Sequence, residues 1–134
     1  MMQLAVAVVL ARADGRTLLV RRAPGRPAAG YWTPITGKVE AEETLAEACA
    51  REALEEIGLI VTIGKELYRC PTVGAPFELV WFDATLQSEA HADATRLSAE
   101  IAEARWLPVS EAAELQPMFA VTAAFYRGRA TETW

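Results

Sequence analysis

Residues 37–59 read GKVEAEETLAEACAREALEEIGL, and the stretch contains three glutamates, Glu52, Glu55 and Glu56, spaced to share one turn of a helix. Like charges three or four residues apart on a helix repel each other by roughly 0.2–0.5 kcal/mol per exposed pair. A helix that gathers carboxylates in this way leaves them in water or neutralises them with a cation. Hard divalent ions such as Mg²⁺ prefer oxygen ligands and are bound through a few carboxylates together with substrate phosphates. The stretch therefore indicates a site for a metal ion and a phosphate-bearing ligand.

The sequence also predicts both ends of this helix. Thr44-Leu-Ala-Glu47 is a capping-box pattern that predicts the start, and Gly58 predicts the end just after Ile57. At about 100° per residue, Glu52 and Glu56 point almost the same way, and we expect them to stay partly exposed. The opposite stripe, which we predict to face the core, consists of Ala46, Ala50, Ala53 and Ile57.

The whole segment resembles the Nudix box, G-x5-E-x7-R-E-U-x-E-E-x-G-U, in which U is a bulky aliphatic residue. The positions that match in register are Gly37, Glu43, Arg51, Glu52, Glu55, Glu56, Gly58 and Leu59. The departure is Ala53, which is small where the family prefers Leu, Ile or Val. Because this is a packing position, the departure concerns the core and not the carboxylates. The chain is identified as a member of the MutT-like Nudix hydrolases.

The resemblance implies that water attacks a phosphorus of a nucleoside diphosphate linked to another moiety, with Mg²⁺ or Mn²⁺ as cofactor. Carried over residue by residue, the metal ligands would be the carboxylates of Glu52, Glu55 and Glu56 and the backbone carbonyl of Thr36. Arg51 would orient Glu52, and Glu43 would pair with Arg51, although Glu47 is also within reach of Arg51 along the helix. Metal ions in such a site position the polyphosphate and lower the pKa of bound water.

Residues outside the box carry weaker signals. Arg21 and Arg22 end a predicted strand on opposite faces, so at most one of them reaches a phosphate; a solvated strand end is the alternative. Trp32 and Gly37 border the expected substrate site. Glu100 is our candidate for the general base.

Two further residues enter as alternatives. Glu103, three residues after Glu100, is expected to pair with Arg105. His91 lies in a polar stretch and is expected to be solvated.

Several substrates fit the resemblance. The run Trp32-Thr-Pro-Ile-Thr-Gly37 is similar to that of bacterial members acting on deoxynucleoside or pterin triphosphates, which favours a (d)NTP-like substrate cleaved to a monophosphate and pyrophosphate. ADP-ribose or another nucleotide sugar is the runner-up, although Gly74 stands where ADP-sugar members tend to carry proline. A non-catalytic nucleotide sensor is the rival of another class, but such domains usually lose box glutamates.

The order of predicted elements indicates one domain over residues 1–134 of the α/β (α+β) class. Strands are predicted at 3–11, 17–22, 31–36, 59–69, 77–86 and 103–107, and a loop at 87–100. Helices are predicted at 44–57, from Glu111, and at 118–126. The resemblance implies an α/β/α sandwich around a mixed β-sheet.

Composition limits the partners. The net charge is -5, so the chain lacks the diffuse basic surface of a nucleic-acid binder, and removal of an RNA cap is poorly supported. We expect a small-molecule nucleotide as the ligand and no membrane partner, because the apolar N-terminal run fits a buried strand and lacks a basic signal-peptide start. Cys49 and Cys70 are expected to be buried and reduced, which favours a cytoplasmic protein. A homodimer would be common for the family.

Overall fold

The computed structural model describes residues 3–72, 76–92 and 95–131, so Gly74 lies outside the described residues. The strands are β1 (Gln3–Ala11), β2 (Arg16–Arg22), β3 (Trp32–Thr33), β4 (Ile35–Lys38), β5 (Val61–Pro71), β6 (Phe77–Leu86) and β7 (Ile101–Pro108). The helices are α1 (Leu45–Ile57), α2 (Val109–Ala112) and α3 (Ala120–Thr131), with a 3₁₀ turn at Glu89–His91.

The strands form one mixed sheet with β1 near its centre. β1 runs parallel to β6 over its whole length, from Gln3 opposite Phe77 to Ala11 opposite Thr85. On its other side β1 is antiparallel to β4 and, at its last residue, to β2. β2 in turn pairs with β3 and β7, and β6 pairs with β5.

Alternation along β1 creates two hydrophobic cores, one on each face of the sheet. Val6, Val8 and Leu10 face α1, whereas Ala7 and Val9 face the side covered by α2 and α3. On the second side Phe125 of α3 stacks on the buried ring of Trp81 with a centroid distance of 4.3 Å. These layers confirm the predicted fold class. No helix in the described ranges is long and apolar enough to cross a membrane.

Helix α1 begins and ends as predicted, but its buried arc is different. The Thr44 hydroxyl accepts a hydrogen bond from the Glu47 amide while the Glu47 side chain accepts one from the Thr44 amide, and Gly58 ends the helix at a φ of 71°. The predicted core stripe was wrong at Ala46, which is exposed, and at Ala50, which is half-buried. The buried residues are Ala48, Cys49, Glu52, Ala53, Glu56 and Ile57.

Other boundaries shift for local reasons. The single extended run predicted at 31–36 is two strands, because Pro34 lacks the N–H that would continue the ladder, and Gly37 lies inside β4. β5 and β7 are displaced or longer than predicted, α2 starts at Val109 and α3 spans Ala120–Thr131. Both cysteines are buried and free, as expected.

Candidate active site

A cavity of about 940 Å³ opens between the N-terminal part of the sheet, α1 and the start of α3. Its polar wall comes from the carboxylate-bearing turn of α1 and from strand β4, and its apolar wall from β6 and α3. The predicted site residues that line it are Arg22, Thr36, Gly37, Arg51, Glu52, Glu55, Glu56 and Glu100. The structure therefore gathers most of the box glutamates around one space large enough for a nucleotide.

Gly37 is required because Glu52 packs directly against it. A Cβ built on Gly37 would overlap the Glu52 carboxylate, so any other residue would push that side chain out of place. Glu52 is 9% exposed, and desolvation by this burial raises the pKa of its carboxyl while Arg51 opposes the rise. Gly37 thus allows strand β4 and helix α1 to approach each other closely.

Glu56 is the most deeply buried carboxylate of the site, with 3% exposure, which corrects our expectation of a partly exposed group. Desolvation, helped by the negative charge of Glu52, raises its pKa to about 8, and the positive charge of Arg22 works against this rise. Its Oε2 atom is buried without a hydrogen-bond partner in the described ranges. A buried, unsatisfied carboxylate oxygen is costly unless a cation or proton neutralises it.

Arg51 organises the remaining carboxylates. Its Nε and Nη2 atoms donate to the two oxygens of Glu43 at 2.6 and 3.0 Å, and Nη1 donates to Glu52 Oε1 at 2.6 Å and to Glu55 Oε2 at 3.2 Å. Nη2 also donates to the Lys38 carbonyl at 2.9 Å, which joins the helix to β4. The guanidinium lowers the pKa of Glu43. Arg51 therefore pairs with Glu43, and Glu47 is used by the helix cap.

The donor set fits a divalent metal ion. Glu56 Oε2 lacks a partner among the described residues, and the two oxygens of Glu52 and Glu55 not held by Arg51 belong to side chains lining the same cavity. Thr36 lines it as well. No three acidic, thiol or imidazole groups in the described ranges are already arranged as a ligand set. The ion would be bound by the oxygens that Arg51 leaves free, once the carboxylates converge on it.

Arg21 and Arg22 diverge, as strand alternation requires. Arg22 lines the cavity. Arg21 instead donates to Glu103 Oε1 at 3.2 Å and lies over the Trp32 ring at 5.8 Å from its centroid. Trp32 is buried in the core on the α3 side, with Arg105 on its ring at 5.1 Å. Arg21 and Trp32, which we predicted at the substrate site, are thus absent from the cavity wall.

Glu100 and Glu103 occupy different environments. Glu100 lines the cavity, 3.9 Å from Arg26 Nη1, and its backbone carbonyl accepts from the Ala23 amide at 2.9 Å. Glu103 is held by Arg105 at 2.7 Å and by Arg21 at 3.2 Å, and these arginines lower the pKa of its carboxyl. The predicted Glu103–Arg105 pair is confirmed.

Sequence reasoning missed part of the cavity wall. Arg26 and Lys38 add positive charge beside the carboxylates, and Phe119 and Val121 supply apolar surface from the start of α3. The Lys38 Nζ atom lies 5.1 Å from the ring centroid of Phe77, another wall residue. The local sequence around Phe77 and Phe119 does not distinguish an aromatic of the cavity wall from one of the core.

Comparison with known proteins gives a family match and partial relatives. A model of the NUDIX domain matches residues 1–127. An octanoyltransferase of Myxococcus xanthus is 46% identical over 70 residues, 52% of this chain and 19% of that protein. A CTP pyrophosphohydrolase of Escherichia coli is 40% identical over 60 residues, 45% of this chain and 44% of that protein. An NAD-capped RNA hydrolase of Deinococcus radiodurans is 32% identical over 117 residues, 86% of this chain and 40% of that protein.

These relatives are longer or matched only in part, so the aligned region spans less than half of each of them. Among solved structures, a MutT protein from Methanosarcina mazei superimposes with a TM-score of 0.80 at 23% identity, covering 98% of this chain and 96% of that one. At this identity the superposition establishes the fold.

Proposed function

The chain belongs to the Nudix family, and from that membership we propose that it is a divalent-metal-dependent hydrolase of phosphoric anhydride bonds. Its substrate in this proposal is a (d)NTP-like nucleotide, cleaved to a monophosphate and pyrophosphate, with Mg²⁺ or Mn²⁺ as the ion. Nudix enzymes generally use divalent metal ions and act on small nucleotides.

One observation carries the proposal: Glu56 is buried, lines the cavity and has an oxygen without a partner in the described ranges, beside the similarly buried Glu52. A fold that only needed a stable helix would not bury two adjacent carboxylates on one turn. A bound cation accounts for their burial. The non-catalytic sensor is disfavoured because every box glutamate is present and three of them line the same cavity.

Each residue that lines or supports the cavity has a role in this proposal. Glu52, Glu55, Glu56 and the Thr36 carbonyl would hold the ion, which when bound neutralises phosphate charge and lowers the pKa of water. Arg22, Arg26 and Lys38 attract the polyphosphate to the cavity. Arg51 and Gly37 position the Glu52 carboxylate, and Glu100 accepts the proton of the attacking water. Positioning and charge stabilisation are the main demands of phosphoryl transfer.

The second candidate is hydrolysis of ADP-ribose or another nucleotide sugar. The cavity of about 940 Å³ is large enough for either class of substrate. In both cases the enzyme is proposed to work on small molecules in a reducing compartment, where the buried, unpaired Cys49 and Cys70 would stay reduced. The homodimer stays a prediction from the resemblance.

Removal of the metal is expected to abolish activity. Purified protein is assayed with a panel of deoxynucleoside triphosphates, CTP, ADP-ribose and nucleotide sugars, and products are identified by chromatography. EDTA should stop hydrolysis, and excess Mg²⁺ or Mn²⁺ should restore it, because the described side chains offer too little positive charge to neutralise Glu52 and Glu56 together with the phosphates. Full turnover in chelator would contradict the proposal, and a preference for ADP-ribose would select the second candidate.

Glu100→Gln and Glu103→Gln form a matched pair. Because Glu100 lines the cavity, its variant should lower kcat by about 10²–10⁴-fold with little change in KM, the range for a general base. Glu103 is bound by two arginines away from the cavity wall, so its variant should mainly reduce the midpoint of urea unfolding. The opposite pattern would move the base to Glu103, and two silent variants would return it to the box.

A further inference from the structure

The segment that precedes β7 is docked on the C-terminal end of helix α1. The Ser98 amide donates to the Glu56 carbonyl at 2.9 Å, and the Arg96 amide donates to the Ile57 carbonyl at 2.9 Å. These carbonyls belong to the last turn of α1, where the helix itself supplies no donor. The segment therefore satisfies the end of the helix that carries the box carboxylates, and its position is tied to theirs.

Residues 98–101 form a turn that fixes the backbone of Glu100. The Ile101 amide donates to the Ser98 carbonyl at 3.1 Å, and the Glu100 amide donates to the Ser98 hydroxyl oxygen at 3.2 Å. A serine that accepts from the amide two residues on stabilises a turn in this way. The Glu100 carbonyl accepts from the Ala23 amide, and Ile101, 5% exposed, anchors the turn in the core on the α1 side. Both backbone polar groups of Glu100 are thus paired.

The side chain of Glu100 is held more loosely than its backbone. Its ion pair with Arg26 measures 3.9 Å, and the two side chains are 45% and 44% exposed. An exposed pair of this length fixes a carboxylate weakly. The carboxylate is nevertheless close to the box: besides desolvation, which dominates, its negative charge adds to the raised pKa of Glu52 and of Glu56. The turn, and not the ion pair, therefore decides where this carboxylate lies.

We propose that Ser98 is the positioning residue of Glu100: its hydroxyl fixes the turn that holds the Glu100 carboxylate at the cavity, beside the box glutamates, before substrate binds. This rests on the proposed function, in which Glu100 accepts the proton of the attacking water, and deepens it by naming the group that places the base. Ser98 itself does not line the cavity, so it acts only through Glu100. A base must lie within hydrogen-bond reach of the proton it accepts, so a small movement of the turn costs rate and leaves substrate binding intact.

Ser98→Ala removes the hydroxyl and keeps the backbone hydrogen bonds of the segment. We expect kcat to fall severalfold, at most about tenfold, with KM unchanged, because losing one hydrogen bond shifts the turn toward other conformations by up to that factor. Ser98→Thr and Ser98→Asn keep an acceptor for the Glu100 amide and should restore kcat. Steady-state kinetics with the nucleotide that the wild type hydrolyses best measure these effects.

A double variant tests whether the serine acts through the glutamate. If Ser98 only places the Glu100 carboxylate, its hydroxyl has nothing to place once that carboxylate is gone. Combining Ser98→Ala with Glu100→Gln should therefore give the same kcat as Glu100→Gln alone.

Asp14→Ala is the matched control. The Asp14 carboxylate also accepts from the amide two residues on, that of Arg16, at 3.1 Å, but in the hairpin between β1 and β2, away from the cavity wall. This variant should lower the melting temperature and leave kcat unchanged.

Amide hydrogen exchange of the metal-free protein follows the turn without reference to turnover. In Ser98→Ala the Glu100 amide loses its acceptor and should exchange up to about tenfold faster, and the Ala23 amide, which donates to Glu100, should follow it. The Arg96 amide, docked on the end of α1, should keep its rate.

The outcomes separate this proposal from the proposed function. Metal-dependent turnover in wild type would leave the hydrolase standing. The positioning role would then be overturned by an unchanged kcat in Ser98→Ala, by unchanged exchange at Glu100, or by a further loss of kcat when Ser98→Ala is added to Glu100→Gln. Faster exchange at Glu100 in Ser98→Ala, in a protein that hydrolyses no nucleotide, would support the hydroxyl as the group that fixes the turn and overturn the hydrolase.

Discussion

Glu56→Gln should reduce kcat by orders of magnitude while the protein stays folded. Glu56 is 3% exposed, and its Oε2 atom has no hydrogen-bond partner in the described ranges, so a bound cation would supply the partner that the protein does not. The amide keeps the shape and removes that charge. Steady-state assays with Mg²⁺ measure the effect, and a variant that retains more than about a tenth of the wild-type kcat, under 1.4 kcal/mol of barrier, would remove Glu56 from the metal site.

The same variant should change stability in a pH-dependent way when metal is absent. The pKa of Glu56 rises from 4.5 to about 8 on folding, so between these values the native state holds a proton that the unfolded state has released. Stability of the wild type therefore falls as pH rises through this window. The amide that replaces the carboxyl does not titrate, so the advantage of Glu56→Gln over wild type should be small near pH 4.5. It should grow to a few kcal/mol at pH 8, at about 1.4 kcal/mol per unit as an upper limit.

Urea unfolding in EDTA at several pH values measures this gap. Glu114→Gln is the control, since Glu114 is exposed after α2 and its variant should leave both kcat and the pH slope unchanged. A constant difference between Glu56→Gln and wild type from pH 5 to pH 8 would show that Glu56 is ionised throughout in the native protein. If Mg²⁺ then raised the stability of the wild type to that of Glu56→Gln, this gain would still identify Glu56 as a metal ligand.

The parts of the site that the sequence predicted depend on local rules. The cap of α1, its end at Gly58 and the grouping of Glu52 with Glu56 follow from helix geometry and cap chemistry, which neighbouring residues determine. The family assignment is likewise carried by spacing within the box. Which arc of the helix is buried is a different matter, because it depends on where β4 and β1 lie. The carboxylates of Glu52 and Glu56 therefore turned out to be buried, although charge alone favours exposure.

The parts that could not be predicted depend on strand register. Strand alternation predicts that the adjacent Arg21 and Arg22 diverge, but not which of them enters the cavity. A register shift lies between them where β2 meets β7, and Arg22 is the one that lines the cavity. Trp32 lies opposite Arg21 in the β2–β3 ladder, which places it under that arginine and away from the cavity wall. Phe119 reaches the cavity only because α3 packs across the sheet from far along the chain.

Arg51→Lys should weaken both the fold and the proposed metal site, because a single ammonium group cannot replace a guanidinium that binds three carboxylates. The guanidinium reaches Glu43 and Glu52 at 2.6 Å and Glu55 at 3.2 Å, whereas lysine presents a single compact charge. Loss of the charged hydrogen bonds of this mostly buried network should lower the free energy of unfolding, measured in urea, by about 1.5–3 kcal/mol. The pKa of Glu43 is lowered by Arg51, so this cost should be full above its ordinary value of 4.5 and shrink as Glu43 is protonated in acid.

The Mg²⁺ dependence of Arg51→Lys separates positioning from mere stability. With Glu52 no longer fixed, kcat should fall and the Mg²⁺ concentration for half-maximal activity should rise. A carboxylate that must be ordered when the ion binds lowers the affinity for that ion. Arg69→Lys is the matched control, because Arg69 also grips two glutamates, Glu66 at 2.7 Å and Glu78 at 3.2 Å, but on an exposed strand surface. That variant should leave activity and Mg²⁺ dependence unchanged. If Arg51→Lys behaves as Arg69→Lys does, the arginine of the box is one more surface ion pair, and the placement of Glu52 rests on its contact with Gly37 alone.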